Sequence, residues 1–219
     1  PESGVFRLRA MRTLSRPMIR NALAAVAPVA LCIALLLGVW TWLAPRIAVQ
    51  REHARLTRLA DVLPPSLYDN DPLRDVIEVS DPLLGTDRPL PVLRARLHGR
   101  PSAVVLQAVA PNGYGGPITL RIGIRYDGSI IAVRVLEQHE TPGIGDLILA
   151  TKSRWLGQFD NRSLRDPPED TWKVRKDGGG FDQLAGATVT PRAVVAAVAK
   201  ALEYYSENRK VLFSKTSLR

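Results

Sequence analysis

A chain of 219 residues that is 46% hydrophobic and 23% charged has apolar content for one buried core plus an appendage, and is short for two full domains. Its formal net charge of +9 raises the question of nucleic acid, but Arg7, Arg9, Arg12, Arg16 and Arg20 gather much of that excess at one end, and no recognition-helix, zinc-finger or aromatic RNA-platform pattern accompanies it, so the sequence argues against a nucleic-acid partner. The single cysteine, Cys32, excludes disulfides within the chain and thiolate metal clusters.

Residues 1–21 form a basic leader to an apolar run from Ala22 to Ala44 that contains no ionisable charge. A helix of that length crosses a hydrocarbon core of about 30 Å. Trp40 and Trp42 fall near its far end, at headgroup level, and Pro28 is accommodated as a kink. A cleaved signal peptide has a shorter apolar core and a small-residue cleavage site, whereas Pro45-Arg46 follows this run. The expectation is a single uncleaved transmembrane helix over 22–44. Arg46, Arg51, Arg55 and Arg58 nearly balance the basic residues before it, but long following domains are exported largely regardless of charge. Residues 1–21 are therefore expected in the cytoplasm, and the remainder in the periplasm of a bacterium.

Leu56, Leu59 and Leu63 lie at helical spacing and Pro64-Pro65 stops the pattern, which predicts a helical stalk over 45–65. A domain over 66–219 follows. Tyr68 to Pro91 is rich in Pro and Asp and reads as loop, with one short strand at Val76 to Val79. The continuous apolar run Ser102 to Ala110 suits a buried strand. Leu120, Ile122, Ile124 and Tyr126 alternate with polar or small residues before Asp127-Gly128 turns the chain into Ile131, Val133 and Val135, a hairpin pattern. Leu147, Ile148, Trp155, Leu156 and Phe159 have spacings compatible with an amphipathic helix over 146–159. Pro191 to Glu207 is a second helix, with Thr190 as its cap and Val194, Val195, Val198, Leu202 and Tyr205 on one face. Strands grouped before helices give an α+β domain.

Several chemistries can be set aside. His139-Glu140 opens like a zinc-protease helix, but Gly143 occupies the second histidine's position. The three histidines carry no metal-ligand spacing. Neither a nucleophile elbow nor a phosphate-binding Walker loop occurs. Three unusual segments remain. Asn112 to Pro117 sets glycines around Tyr114, which makes a tight turn or lets backbone approach a flat ligand. Glu140 to Asp146 is a rigid turn with Asp146 available to cap a helix. In Asp182 to Pro191 two small residues, Gly186 and Ala187, precede Thr188, leaving its hydroxyl reachable. A phosphate on Thr188 would lie near the amides of Arg192, Ala193 and Val194 at a helix N-terminus. A cap-and-turn with no ligand is the competing reading.

Taken together and in order, GYGGPI at Gly113 to Ile118, HETPGIGD at His139 to Asp146 and DQLAGATVTPRAVV at Asp182 to Val195 resemble the FMN-binding domain shared by the G subunit of the Rnf electron transport complex and its longer counterpart in the sodium-pumping NADH:quinone reductase. With the apolar run, the resemblance covers nearly the whole chain, and the Thr-Pro-Arg-Ala-Val-Val continuation is closer to the Rnf member. The resemblance implies one transmembrane helix followed by an α+β FMN-binding domain with an antiparallel sheet. It implies a flavin transferase that moves FMN from FAD onto Thr188, with Thr190 as the nearby alternative, in a single-pass protein of the bacterial inner membrane. Ala185 departs from the family pattern, which has Ser or Thr there. Asp182, Gly186, Ala187 and Thr190 surround the acceptor. Gly115, Gly143 and Gly145 would approach the flavin ring, Glu140 and Thr141 would bond its polar edge, and Tyr114, Trp155 or Phe181 would stack on it. The partners implied are the other proteins of the Rnf complex, which couple electron transfer between ferredoxin and NAD to ion movement, so this chain would be a relay and no complete enzyme. The alternatives are the corresponding quinone-reductase protein and a membrane-tethered binding module without covalent flavin.

Overall fold

The computed structural model describes residues 28, 31–44, 46, 57 and 59–217. They fall into two units, within Pro1–Arg55 and within Leu56–Arg219. In the first, residues 31–44 are helical, Leu31, Leu36, Trp40 and Trp42 are exposed, and the Arg46 guanidinium lies over the Trp42 ring at 4.1 Å. No helix among the described residues is long and apolar enough to cross a membrane. Residues 22–27, 29 and 30 of the expected span, all of 1–21, and much of the expected stalk lie outside the described residues.

The second unit is built on an antiparallel sheet whose five strands are neighbours in chain order: β1 (Val76–Asp81), β2 (Thr86–Leu97), β3 (Arg100–Ala110), β4 (Ile118–Arg125) and β5 (Ile130–Glu137). One long helix, α1 (Val189–Ser214), follows, and the domain is α+β. The β4–β5 hairpin turns at Gly128 (φ 98°), whose N–H bonds the Arg125 carbonyl at 2.9 Å, as the Asp-Gly pair predicts.

Both faces of the sheet are covered, which is why β3 is a continuous apolar run. On one side Val104, Leu106 and Ala108 join Leu120, Ile122 and Ile124 of β4 in a core completed by Val194, Val198, Leu202 and Tyr205 of α1. On the other, Ala103 and Val105 pack with Leu59, Val62 and Leu63. A Cβ at Gly123 in mid-β4 would overlap the Val62 carbonyl, so this glycine lets the incoming chain lie flat on the sheet.

Two expected elements differ. Thr86 to Pro91 reads as loop because prolines withhold a ladder donor, yet it belongs to β2. Pro91 pairs with Glu78 of β1, while the pairing of β2 with β3 starts only at Leu93, so Pro89 and Pro91 sit where the strand has one neighbour and an N–H can be spared. The helix expected over 146–159 is two 3-10 turns, Gly145–Ile148 and Trp155–Phe159, separated by extended backbone at Leu149. Trp155, Phe159, Trp172 and Phe181 form a buried aromatic cluster, with centroids of neighbouring rings 4.7–6.2 Å apart. Contacts from outside the segment therefore fix these apolar residues, and a continuous helix is not needed to bury them.

The far end of α1 is held by Arg94, which is 1% exposed. Its guanidinium donates to the carbonyls of Leu212 (2.9 Å) and Lys215 (2.5 Å), to Ser217 Oγ (2.7 Å) and to Asp75 Oδ1. Those carbonyls are the acceptors a helix C-terminus leaves unsatisfied.

Candidate functional site

The three unusual segments meet. Tyr114 from the β3–β4 loop, Glu140, Thr141, Ile144 and Gly145 from the turn after β5, and Gly186 to Thr190 at the start of α1 line one cavity of about 330 Å³, within the size range of small-molecule sites. A hollow of about 340 Å³ beside Gly85 and Ala197 contains none of the expected site residues.

Glu140 ties the segments together. It is 5% exposed; its Oε1 accepts the Gly115 N–H at 3.0 Å, and its Oε2 accepts the Thr190 hydroxyl. A Cβ at Gly113 would come 2.8 Å from Oε1, and one at Gly145 would come 2.6 Å from Oε2. A Cβ at Gly115 would overlap the His139 carbonyl. Gly113, Gly115 and Gly145 thus make room for a carboxylate and its backbone, and Gly145 also lines the cavity. The expected cap at Asp146 is also absent. Asp146 lies inside a 3-10 turn and accepts from Gly143 N–H at 2.7 Å and from Lys152, and the hydrogen bond from the Lys152 ammonium holds its carboxyl below the usual carboxylate range.

The loop before Thr188 is a tight turn. Ala187 N–H bonds the Leu184 carbonyl at 3.1 Å, and Gly186 at its third position has φ 77°, which favours glycine. Leu184 anchors the turn in the core. At the turn's base Asp182 is pinned by its backbone, the carbonyl accepting from Trp155 Nε1 at 2.6 Å and the N–H donating to Gln158 Oε1 at 2.8 Å.

Helix α1 begins at Val189, two residues earlier than expected. Thr188 is at the cap position with no side-chain capping bond and is half-buried in the cavity wall. Thr190, expected as the cap, is inside the first turn, 1% exposed, with its hydroxyl committed to Glu140. The amides near Thr188 also differ from expectation. Arg192 N–H bonds the Thr188 carbonyl at 3.1 Å and continues the helix ladder, so the donors free of intrahelical partners are those of Val189 and Thr190.

Not every expected residue faces the cavity. Asp182 turns away and pairs with Arg175 at 2.9 Å. Gly143 and Gly115 are exposed and absent from the cavity lining. Trp155 and Phe181 are spent in the aromatic cluster, which leaves Tyr114, 73% exposed, as the ring at the mouth. Ile144 and Val189, each 43% exposed, complete an apolar rim. Neither is singled out by sequence, although each stands beside a residue that is.

A model of the FMN-binding domain matches residues 113–203, which span all three segments. A protein of Pseudomonas aeruginosa, named as the G subunit of an ion-translocating oxidoreductase complex, is 48% identical over 200 residues, covering 91% of this chain and 94% of its own length. Proteins of the same name from Vibrio atlanticus (42% identical, 76% of this chain and 80% of the relative) and Shewanella baltica (37%, 92% and 95%) are similar along most of their lengths. The chain belongs to the G-subunit family of ion-translocating oxidoreductase complexes. As a member of that family it carries an FMN-binding domain, and the residues of the cavity fit the cofactor. The Val189 and Thr190 amides and the helix dipole suit its phosphate, and Tyr114, Ile144 and Val189 offer apolar surface to its ring.

Proposed function

We propose that this chain is the electron-relaying flavoprotein of such a complex. It holds FMN through a phosphoester on Thr188, residues 22–44 anchor it in the bacterial inner membrane, and its folded unit works on the periplasmic side among the other members of the complex. The observation that carries this reading is the meeting of three sequence-distant segments around a cavity with Thr188 in its wall and a helix N-terminus beside it.

Thr188 is favoured over Thr190 on chemical grounds. An acceptor hydroxyl must reach a phosphorus centre held by a second protein, and a hydroxyl that is 1% exposed and bonded to Glu140 is withheld from that encounter. Thr188 is neither used as a cap nor sealed. In the maturation step the Thr188 oxygen forms a bond to the FMN phosphorus of FAD, the pyrophosphate bond breaks, AMP leaves, and the hydroxyl proton passes to solvent. A flavin transferase is the partner for this step. Exposed Ala185 and Gly186 at the tip of the turn leave it room.

A covalent tether keeps the cofactor on an exported domain where no free FMN replaces a lost one, and the bound flavin supplies one- and two-electron chemistry. The anchor reading rests on the uncharged run from Ala22 to Ala44 and on the exposed apolar side chains of residues 31–44.

The test is intact-mass analysis of the full chain from cells that possess the transferase, with in-gel flavin fluorescence after denaturing electrophoresis. An added FMN mass that disappears in Thr188→Ala is expected. A bare wild-type polypeptide would leave only an FMN-fold module without covalent flavin, and a fluorescent Thr188→Ala band would move the attachment elsewhere.

A further inference from the structure

Glu140 is the one charged residue among the described residues that line the cavity. Its environment is unusual for a carboxylate. It is 5% exposed, and no Lys, Arg or His among the described residues forms an ion pair with it. Both its oxygens accept, one from an amide and one from a hydroxyl. Two neutral donors spread the charge of a carboxylate but do not cancel it, and burial without a counter-ion is costly. The sequence nevertheless clears space for this group at Gly113 and Gly145. A neutral side-chain amide could fill the same space and accept a hydrogen bond without burying a charge, so neither shape nor hydrogen bonding alone accounts for the carboxylate.

We infer that Glu140 sets the midpoint potential of the flavin, holding it below the value an uncharged wall would give; this rests on the flavin reading above. Reduction adds negative charge to the ring, and a fixed carboxylate at the cavity wall, in a region where water screens little, disfavours that charge more than it disfavours the oxidised ring. The helix N-terminus across the cavity acts in the opposite sense. Its donors are matched to a phosphate beside Thr188, which leaves Glu140 as the cavity's own unpaired charge. Glu140 is thus a positioning residue for the loops and, through its charge, a determinant of how readily the site accepts electrons.

Spectroelectrochemical titration of the full chain, with the FMN adduct first verified by intact mass, separates this idea from the one beneath it. A wild-type chain with no adduct defeats the flavin reading before Glu140 is examined. With the adduct present, Glu140→Gln, which keeps the shape and removes the charge, is expected to raise the midpoint until the ratio of reduced to oxidised flavin at the wild-type midpoint has risen at least tenfold, about 30 mV for a two-electron couple. Thr190→Val breaks the same hydrogen bond but keeps the charge, and should not raise it. An unchanged midpoint in flavinylated Glu140→Gln, or an equal rise in Thr190→Val, overturns the inference. Should Glu140→Gln fail to fold or to take up flavin, the wild-type infrared difference spectrum between oxidised and reduced states decides. A carboxylate stretch that responds to reduction supports the inference, and a spectrum without one overturns it.

Discussion

The Thr190 hydroxyl donates to the Glu140 carboxylate across fifty residues of sequence, and both groups are buried. This bond joins the first turn of α1 to the loop after β5, and through Gly115 N–H to the β3–β4 loop. Removing the hydroxyl leaves a buried carboxylate short of one donor. Thr190→Val is therefore expected to lower stability by about 1.5–3 kcal/mol, the range for a hydrogen bond to a charged group. Thr188→Ala, which loses a half-buried hydroxyl with no capping bond, should stay within about 0.5 kcal/mol of the parent. Urea unfolding of both, made without the flavin transferase, reads the difference.

The Leu184–Ala187 turn depends on handedness more than on space. A Cβ at Gly186 meets nothing nearer than Ile144 Cγ2 at 3.6 Å, so Gly186→Ala should cost about 1–2 kcal/mol from the left-handed backbone alone. With Thr188 as the proposed attachment point two residues on, the same substitution should slow flavin attachment. Gly186→Asn, a residue that tolerates this conformation, should recover most of both, as followed by unfolding and by the rate of mass gain in the presence of transferase and FAD.

At Gly123 the constraint is steric. Gly123→Ala would press a methyl group into the Val62 carbonyl, with an expected loss of about 1–3 kcal/mol, felt first where Leu59, Val62 and Leu63 lie on the sheet. Hydrogen exchange should show amides of residues 59–63 opening in this variant while those of β3 and β4 stay protected.

Acid should loosen the far end of α1. Burial pushes the Asp75 carboxyl up, but hydrogen bonds from Ser217, Arg96 and Arg94 outweigh it and leave the group below its ordinary value of 3.8. A carboxyl depressed in the folded state contributes stability that is present above its unfolded value and is lost as pH falls through the folded one. The stability gap between parent and Asp75→Asn should therefore be full at neutral pH and close as pH falls below about 4. Asp75→Ala, which leaves Arg94 buried without its carboxylate, should cost about 3–5 kcal/mol at pH 7. Denaturant titrations at stepped pH give both numbers.

Features with a short-range cause were legible in the sequence. The Asp127-Gly128 hairpin, the buried β3 run and the long C-terminal helix each follow from a few adjacent residues, and so does the identity of the three segments that mark the flavin-binding family. Of the site residues, Thr188, Glu140, Thr141, Tyr114, Gly145, Gly186, Ala187 and Thr190 do share a cavity. What each contributes was not legible, because a role depends on partners far along the chain.

The chain's composition and local patterns by themselves determined its strand and helix inventory in the main, its family and the loops that matter, since propensity, alternation and turn chemistry act over a few residues. Tertiary structure alone decided that Pro89 and Pro91 belong to a strand, because only pairing shows where β2 lacks a second neighbour. It alone decided that the 146–159 segment bends into two turns around an aromatic cluster. It alone decided that Thr190 is sequestered while Thr188 is not, and that Gly113 and Gly145 make room for Glu140. The reason is common to all of these: steric room and hydrogen-bond ownership are properties of atoms brought together in space, and no local stretch of sequence contains both partners.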